Sequence, residues 1–364
     1  MRFCGLRRQS AVPKSRASGH HGGMAWRFEG VLLPSGEDGA VVIGSGEPEP
    51  LPGRYALVGL VDAHCHLTVG LDEIGPHLDA AGAGRRLDAL ARSGVSLIRD
   101  VGGDPTVTLP LSRHPVAGRP QVQAAGRFLA PARRYFPRLH EPVEAVGLPG
   151  AIEAEIAAGA TWIKIIADFP ELDGDRPRPG TSSRTYTAEV IAAAVQTAHR
   201  LGARVAAHTN TAAVADLVAC GVDTVEHGLA LTEADLDRLA AHGGAWTPTL
   251  ASFAGIQRAA DPAQRAVLAG HAERLSVLLP AAVERGVTIL TGTDTVGTVP
   301  EEIELLHAYG LTVDEALHAA TTGAREYLGG SSGDDLVTYE HDPRCEPEAL
   351  RDPTAVVIRG VRVR

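Results

Sequence analysis

Eight short apolar or β-branched runs, separated by longer segments, set the tightest limit on how this chain can fold. They lie at 60–67, 95–99, 121–125, 162–167, 204–208, 223–227, 245–250 and 287–293. Runs of this length suit strands covered on both faces, which read as continuous apolar sequence and not as an alternation. Between them are helical stretches at 78–93, 151–158, 188–201, 212–220, 233–242 and 263–284. Thr187 and Thr232 stand at N-cap positions, and Thr312 with Glu315 forms a capping box. Gly94, Gly202, Gly221, Gly243 and Gly286 stand where helices stop before the next strand. Pro280 is expected to kink or divide the last of those helices. The alternation predicts an α/β fold, a closed (β/α)8 TIM barrel. An open doubly wound sheet competes, but no Gly-x-Gly-x-x-Gly follows an early strand.

Further strands are expected at 26–33, 40–43, 336–339 and 355–363. They predict a small β domain made from residues 24–58 and 330–364, around a barrel at 59–329. Two hairpins packed on the barrel are the plainer alternative. Residues 1–23 carry Arg2, Arg7, Arg8, Lys14 and Arg16 with no acid, and read as a disordered basic extension with Met24 as an alternative start. The whole chain of 364 residues has a net charge of −10, so the body is acidic. That disfavours nucleic acid and anionic membrane surfaces as partners. No run approaches the ~18 apolar residues of a membrane span. The four cysteines are scattered with no Cys-x-x-Cys pair, which suits reduced thiols in a cytoplasmic protein. A small-molecule substrate is expected, and a homo-oligomer is left open.

In a barrel of this kind the reactive groups stand at the C-terminal ends of the strands. Reading only those ends yields His64 and His66 on the first strand, Lys164 on the fourth, His208 on the fifth, His227 on the sixth and Asp294 on the eighth. Alternation puts His64 and His66 on one face. Two imidazoles there are half of a metal site, or merely a pair of histidines if nothing else converges. Lys164 is one of only two lysines among 34 basic residues, and it sits inside an apolar strand. Only lysine loses its proton readily when buried; arginine does not. A neutral amine can combine with CO2 to give a carbamate, an anionic two-oxygen ligand able to bridge two cations. The plainer reading is a lysine reaching to a carboxylate such as Asp168.

His-x-His, Lys, His, His and Asp in that strand order resembles the amidohydrolase superfamily in its binuclear, carbamylated-lysine form. The segments Leu-Val-Gly-Leu-Val-Asp-Ala-His-Cys-His, Gly-Ala-Thr-Trp-Ile-Lys, Val-Glu-His-Gly and Gly-Val-Thr-Ile-Leu-Thr-Gly-Thr-Asp resemble its Xaa-Pro dipeptidase and imidazolonepropionase-like branch. The resemblance covers about residues 26–364 and implies a β-sandwich built from both termini. It implies that His64, His66 and Asp294 hold a more buried divalent ion. His208 and His227 would hold a more exposed one, with carbamylated Lys164 and a hydroxide bridging them. The exposed ion would polarise a substrate carbonyl. Asp294 would take the hydroxide's proton and pass it to the leaving amine. Such ligands suit Zn2+ first, then Mn2+ or Co2+.

The implied activity is hydrolysis of an amide bond, as in a dipeptide or an N-acyl amino acid. A lactone, a cyclic amide such as an imidazolone, or a phosphotriester is the alternative on the same site. A non-catalytic binding relative is the alternative of another class, against which all six ligand positions are filled. Deamination ranks low, because His208 is followed by Thr-Asn-Thr and lacks the nearby Glu of that chemistry. Two loops depart from the branch. Residues 127–140 replace its Gly-Gly-His-like segment, and there Arg133, Arg134, Tyr135 and His140 are candidates to bind a substrate carboxylate or are simply rim residues. Residues 168–186 form a Pro-, Gly- and acid-rich loop that could be a lid or a plain crossover. The stretch 70–77 is a further candidate pocket wall.

Overall fold

The computed structural model describes residues 24–70, 78–137, 139–330 and 333–364. The basic extension 1–23 and His77 lie outside the described residues. All eight expected strands form: β1 (Leu60–Cys65), β2 (Val95–Asp100), β3 (Gln121–Ala124), β4 (Trp162–Ile166), β5 (Arg204–Thr209), β6 (Thr224–His227), β7 (Ala245–Thr247) and β8 (Thr288–Ile289). Every ladder among them is parallel. Such strands need helical crossovers, and the sequence supplies them. Thr187 caps Ala188–Arg200, and Thr232 and Thr312 form the capping boxes of Glu233–Ala241 and Val313–Ala319. The five stop glycines all have positive φ, between 72° and 90°. Helices at Pro105–Arg113, Leu250–Ala259, Val299–Ala308 and Thr322–Leu328 are additional.

The strands make two parallel sheets instead of one continuous ladder. One has three strands, β1-β2-β3; the other has six, β8-β7-β6-β5-β4 and the short Phe128–Leu129. β8 pairs over only two residues, and a single parallel bridge, Cys65 with Asp294, joins β1 to the segment that follows β8. Individual backbone bonds link the edges. The N–H of Ala63 donates to Thr291 at 2.8 Å and that of Asp294 to His64 at 2.7 Å; on the other side Thr161 donates to Ala124 at 3.2 Å.

Strands from residues 25–57 and 336–362 meet in one seven-stranded sheet, in which Tyr55–Leu57 pairs antiparallel with Leu336–Tyr339. Pro280 does not divide its helix, which runs from Pro262 to Glu284; the break falls earlier, before Asp261. By length and composition alone that helix is apolar enough to cross a membrane, a feature missed by counting unbroken apolar runs. The main core joins residues of β1–β8 to the crossover helices and includes Ile98, Ile163, Val205, Val225 and Trp246, all fully buried.

Candidate active site

Parallel pairing decides which side chains become neighbours. Lys164 faces Ala206 across β4–β5, and Thr209 faces His227 across β5–β6. The four imidazoles therefore form a chain: His66 to His64 at 5.2 Å between ring centres, His64 to His227 at 5.0 Å, and His227 to His208 at 4.5 Å. Asp294 joins from beyond β8, its Oδ1 lying 3.3 Å from Nε2 of His66 and 3.9 Å from Nε2 of His64. All six sequence-predicted residues line one cavity of about 630 Å³.

Hydrogen bonding sets which nitrogen each ring offers. The carbonyl of Gly102 can only accept, so Nδ1 of His66 donates to it at 2.8 Å. Nδ1 of His64 meets the carboxylate of Glu226 at 2.6 Å. The hydroxyl of Thr249 donates to Pro248, so Nδ1 of His227 donates to that hydroxyl at 2.7 Å. Three rings thus turn a bare Nε2 lone pair inward, the tautomer a metal needs. In His66 that lone pair faces a carboxylate oxygen, so a proton or a cation must lie between them. Nε2 of His64 and Nζ of Lys164 are buried without a hydrogen-bond partner. His64, His227 and Asp294 each offer a ligand atom, all within 4.8 Å of one another. This tightest triple mixes the two ligand sets the resemblance implies. A buried lysine amine and the Nε2 of His64, left orphaned together beside three further imidazoles and a carboxylate, fit divalent cations.

The Lys164–Asp168 alternative does not hold. Asp168 is buried and accepts bonds from the N–H groups of Asn210 and Thr211 and the hydroxyls of Thr209 and Thr211, which fastens the loop after β5. Burial pulls the Lys164 amine down to about 8, against the opposing pull of Glu226 and Asp294. Burial, then the Lys164 charge, lowers His64 to about 3 and His208 to about 4. Burial opposes ionisation of Asp294, but the bond to His66 and the surrounding imidazoles hold its carboxyl well below the usual range.

Beneath the site lies a pair that the sequence reading did not assign. Glu226 is fully buried and accepts from Arg99 at 2.8 Å. Arg99 also donates to the carbonyl of Ala63 at 2.6 Å, and stacks 4.3 Å from the ring of Trp162. Arg204 covers that ring at 4.0 Å. Alternation predicts that Glu226 and His227 point to opposite faces. His227 escapes this through a left-handed backbone, φ 67°, as do Thr249 at 49° and Asp294 at 56°. Non-glycine residues rarely hold that conformation, which costs roughly 1–3 kcal/mol each. Its presence at the ends of three neighbouring strands marks the site. Gly228 follows His227 because a Cβ there would lie 2.8 Å from Nε1 of Trp246.

Of the residues proposed to bind substrate, only Tyr135 lines the cavity. Arg134 donates to the carbonyl of Phe169 at 2.8 Å and the hydroxyl of Ser183 at 2.9 Å, stitching the loop 127–140 to the loop 168–186. Arg133 donates to the carbonyl of Leu172 at 3.2 Å. His140 reaches the carbonyls of Phe136 at 3.0 Å and Pro131 at 3.3 Å. The helix Leu250–Ala259, absent from the sequence reading, supplies Ser252, whose hydroxyl donates to Asp294 at 3.0 Å, and the cavity wall beside it. Gly70 lines the cavity; the residues after it lie outside the described ones.

An uncharacterized protein of Mycobacterium tuberculosis is 36% identical to this chain over 326 residues, 85% of each protein. An uncharacterized protein of Mycobacterium bovis matches to the same extent. Among solved structures, a prolidase complexed with N-methylphosphonate-L-proline superposes with a TM-score of 0.75 at 23% identity, covering 93% of this chain and 99% of that one. The A. niger ochratoxinase superposes with a TM-score of 0.77 at 20% identity, covering 93% and 95%. At those identities the likeness is one of fold. Residues 55–333 match the amidohydrolase family over their whole length, and the chain belongs to that family of hydrolases.

Proposed function

We propose that the protein hydrolyses the amide bond of a small molecule at a centre of two divalent ions, Zn2+ first among them. The observation that carries this is that Nδ1 bonds leave the Nε2 of three histidines available in the cavity that holds the partnerless Nε2 of His64 and Nζ of Lys164. The two sheets are read as two arcs of a (β/α)8 barrel spanning 59–329. The terminal sheet is read as a separate small domain of β-sandwich type. His64, His66, His208, His227 and Asp294 would hold the ions, with Lys164 as its carbamate between them. Divalent ions there would polarise the scissile carbonyl and make water acidic enough to attack near neutral pH.

The chain's own groups do the rest. Asp294 is kept anionic, with Ser252 on its Oδ2 and His66 beside its Oδ1, and this carboxylate would take the attacking water's proton and return it to the leaving nitrogen. Glu226 fixes the His64 ring and its tautomer; Thr249 does the same for His227. Phe253 and Phe169 wall the cavity with apolar surface that excludes bulk water. The prolidase fold likeness and the shared motifs favour amides over lactones or phosphotriesters. The dipeptide and N-acyl amino acid forms of this reading need a cation for the carboxylate, and Arg133 and Arg134 are committed to carbonyls elsewhere. A cytoplasmic location remains part of the proposal, on the reduced thiols alone.

Hydrolysis rates of zinc-reconstituted protein on amides, lactones and phosphotriesters test this. Amides should be turned over fastest, and Asp294→Asn should lower kcat by about 10²–10⁴ with the fold intact. Undiminished turnover in that variant contradicts the assignment.

A further inference from the structure

One wall of the cavity is aromatic. Phe128, Tyr135, Phe136 and Phe169 form a continuous cluster, with ring centres 4.9–5.2 Å apart. Phe128 lies 5.1 Å from the ring of His66, and Phe169 lies 6.2 Å from that of His208, so the cluster reaches the candidate metal site directly. The cavity is further lined by Leu229, Pro248, Phe253, Ile256 and Val296, which lie on or beside the segments after β6, β7 and β8. Ile256 and Val296 stay 56% and 42% exposed, so apolar surface continues out to the mouth.

Charge is distributed differently. Among the described lining residues the cations other than histidine are Lys164 and Arg258. Lys164 sits within the imidazoles. The side chain of Arg258 is 67% exposed and lies 4.0 Å from Glu301, so solvent and an acid already serve it. Asn210 contributes a neutral polar group, and its Oδ1 is buried without a partner. A buried amide oxygen of this kind favours a ligand that offers it an N–H donor, as a neutral amide does, because an unmatched polar atom costs affinity. A ligand carboxylate held against the aromatic cluster, away from the metal site, would lose its hydration without gaining a buried cationic side chain.

We propose that the substrate is an uncharged amide carrying an aryl or similarly bulky apolar group, with no free carboxylate beside the scissile bond. This rests on the amide-hydrolase reading and narrows it. The aryl group lies against Phe128, Tyr135 and Phe169, Phe253 adds a further apolar contact from the helix Leu250–Ala259, and Asn210 meets the polar atoms of the amide.

N-benzoylglycinamide and N-benzoylglycine are matched in size and differ in charge; N-acetylglycinamide lacks the ring. Zinc-loaded full-length protein is assayed for kcat/KM on each, and the zinc-loaded Asp294→Asn variant for Kd by calorimetry. The neutral benzoyl compound should bind at least tenfold tighter than either comparison compound. Phe253→Ala should erase most of the benzoyl-over-acetyl preference, and Arg258→Ala should leave the binding of N-benzoylglycinamide unchanged. Equal or tighter binding of the carboxylate overturns the proposal, as does no detectable binding of the neutral compound at millimolar concentration. If no compound is hydrolysed yet the neutral one binds preferentially, the hydrolase reading fails while the ligand class stands.

Discussion

At the scale of single residues, Lys164 and Glu226 carry opposite lessons. Lys164 was legible in the sequence, because a lone lysine inside an apolar strand has few structural uses. Its environment makes a testable pH dependence. A base lowered from 10.5 to about 8 is half neutral at pH 8 and only about 3% neutral at pH 6.5. Only the neutral amine forms a carbamate, so metal loading in bicarbonate should be efficient at and above pH 8 and should fall as pH drops through that value. Metal analysis of protein reconstituted at each pH checks this. Glu226 was printed beside His227 but had no visible role, because its partner Arg99 is 127 residues away in the chain. Glu226→Gln leaves Arg99 buried without a counter-charge, a loss of about 3–5 kcal/mol in denaturant unfolding. It also slackens His64, so metal affinity should fall by about 10–100-fold. A variant as stable and as metal-avid as the parent would remove Glu226 from the account.

At the scale of elements, the strands and caps were readable because burial on both faces and helix-stop glycines leave local signals. The capping box at Thr312 formed where the sequence placed it, and the N-cap expected at Thr232 proved to be a capping box as well. The helix Leu250–Ala259 was missed because the chain turns into it at Thr249, two residues past β7, through a left-handed residue that no side chain announces. The loop arginines were misjudged for a related reason. A guanidinium suits a carboxylate, but it also suits several carbonyls, and the fold brought Phe169 and Ser183 to Arg134. Arg134→Ala should therefore act on loop order. Proteolysis within 170–184 should speed up severalfold, with little change in global unfolding. Cleavage at the parent rate would show that the loop holds itself.

At the scale of the whole molecule, two parallel sheets bring together residues as far apart as His64 and Asp294, while strands from 25–57 and 336–362 meet in a third sheet. The terminal sheet depends on Ala355–Ile358, which is fully buried and pairs with Leu336–Tyr339. Deleting residues 355–364 should leave the apolar face of Leu336 and Val337 bare, and the product should aggregate or unfold well below the parent's Tm. The central claim is that six strand-end residues grip two cations. Metal stoichiometry and intact mass, measured together on protein made with zinc and bicarbonate, test it most directly. The account predicts close to two ions per chain, a gain of one CO2 on Lys164, and loss of both features in Lys164→Ala. A firm value of one ion or none per fully folded chain, with Lys164 unmodified, would contradict it.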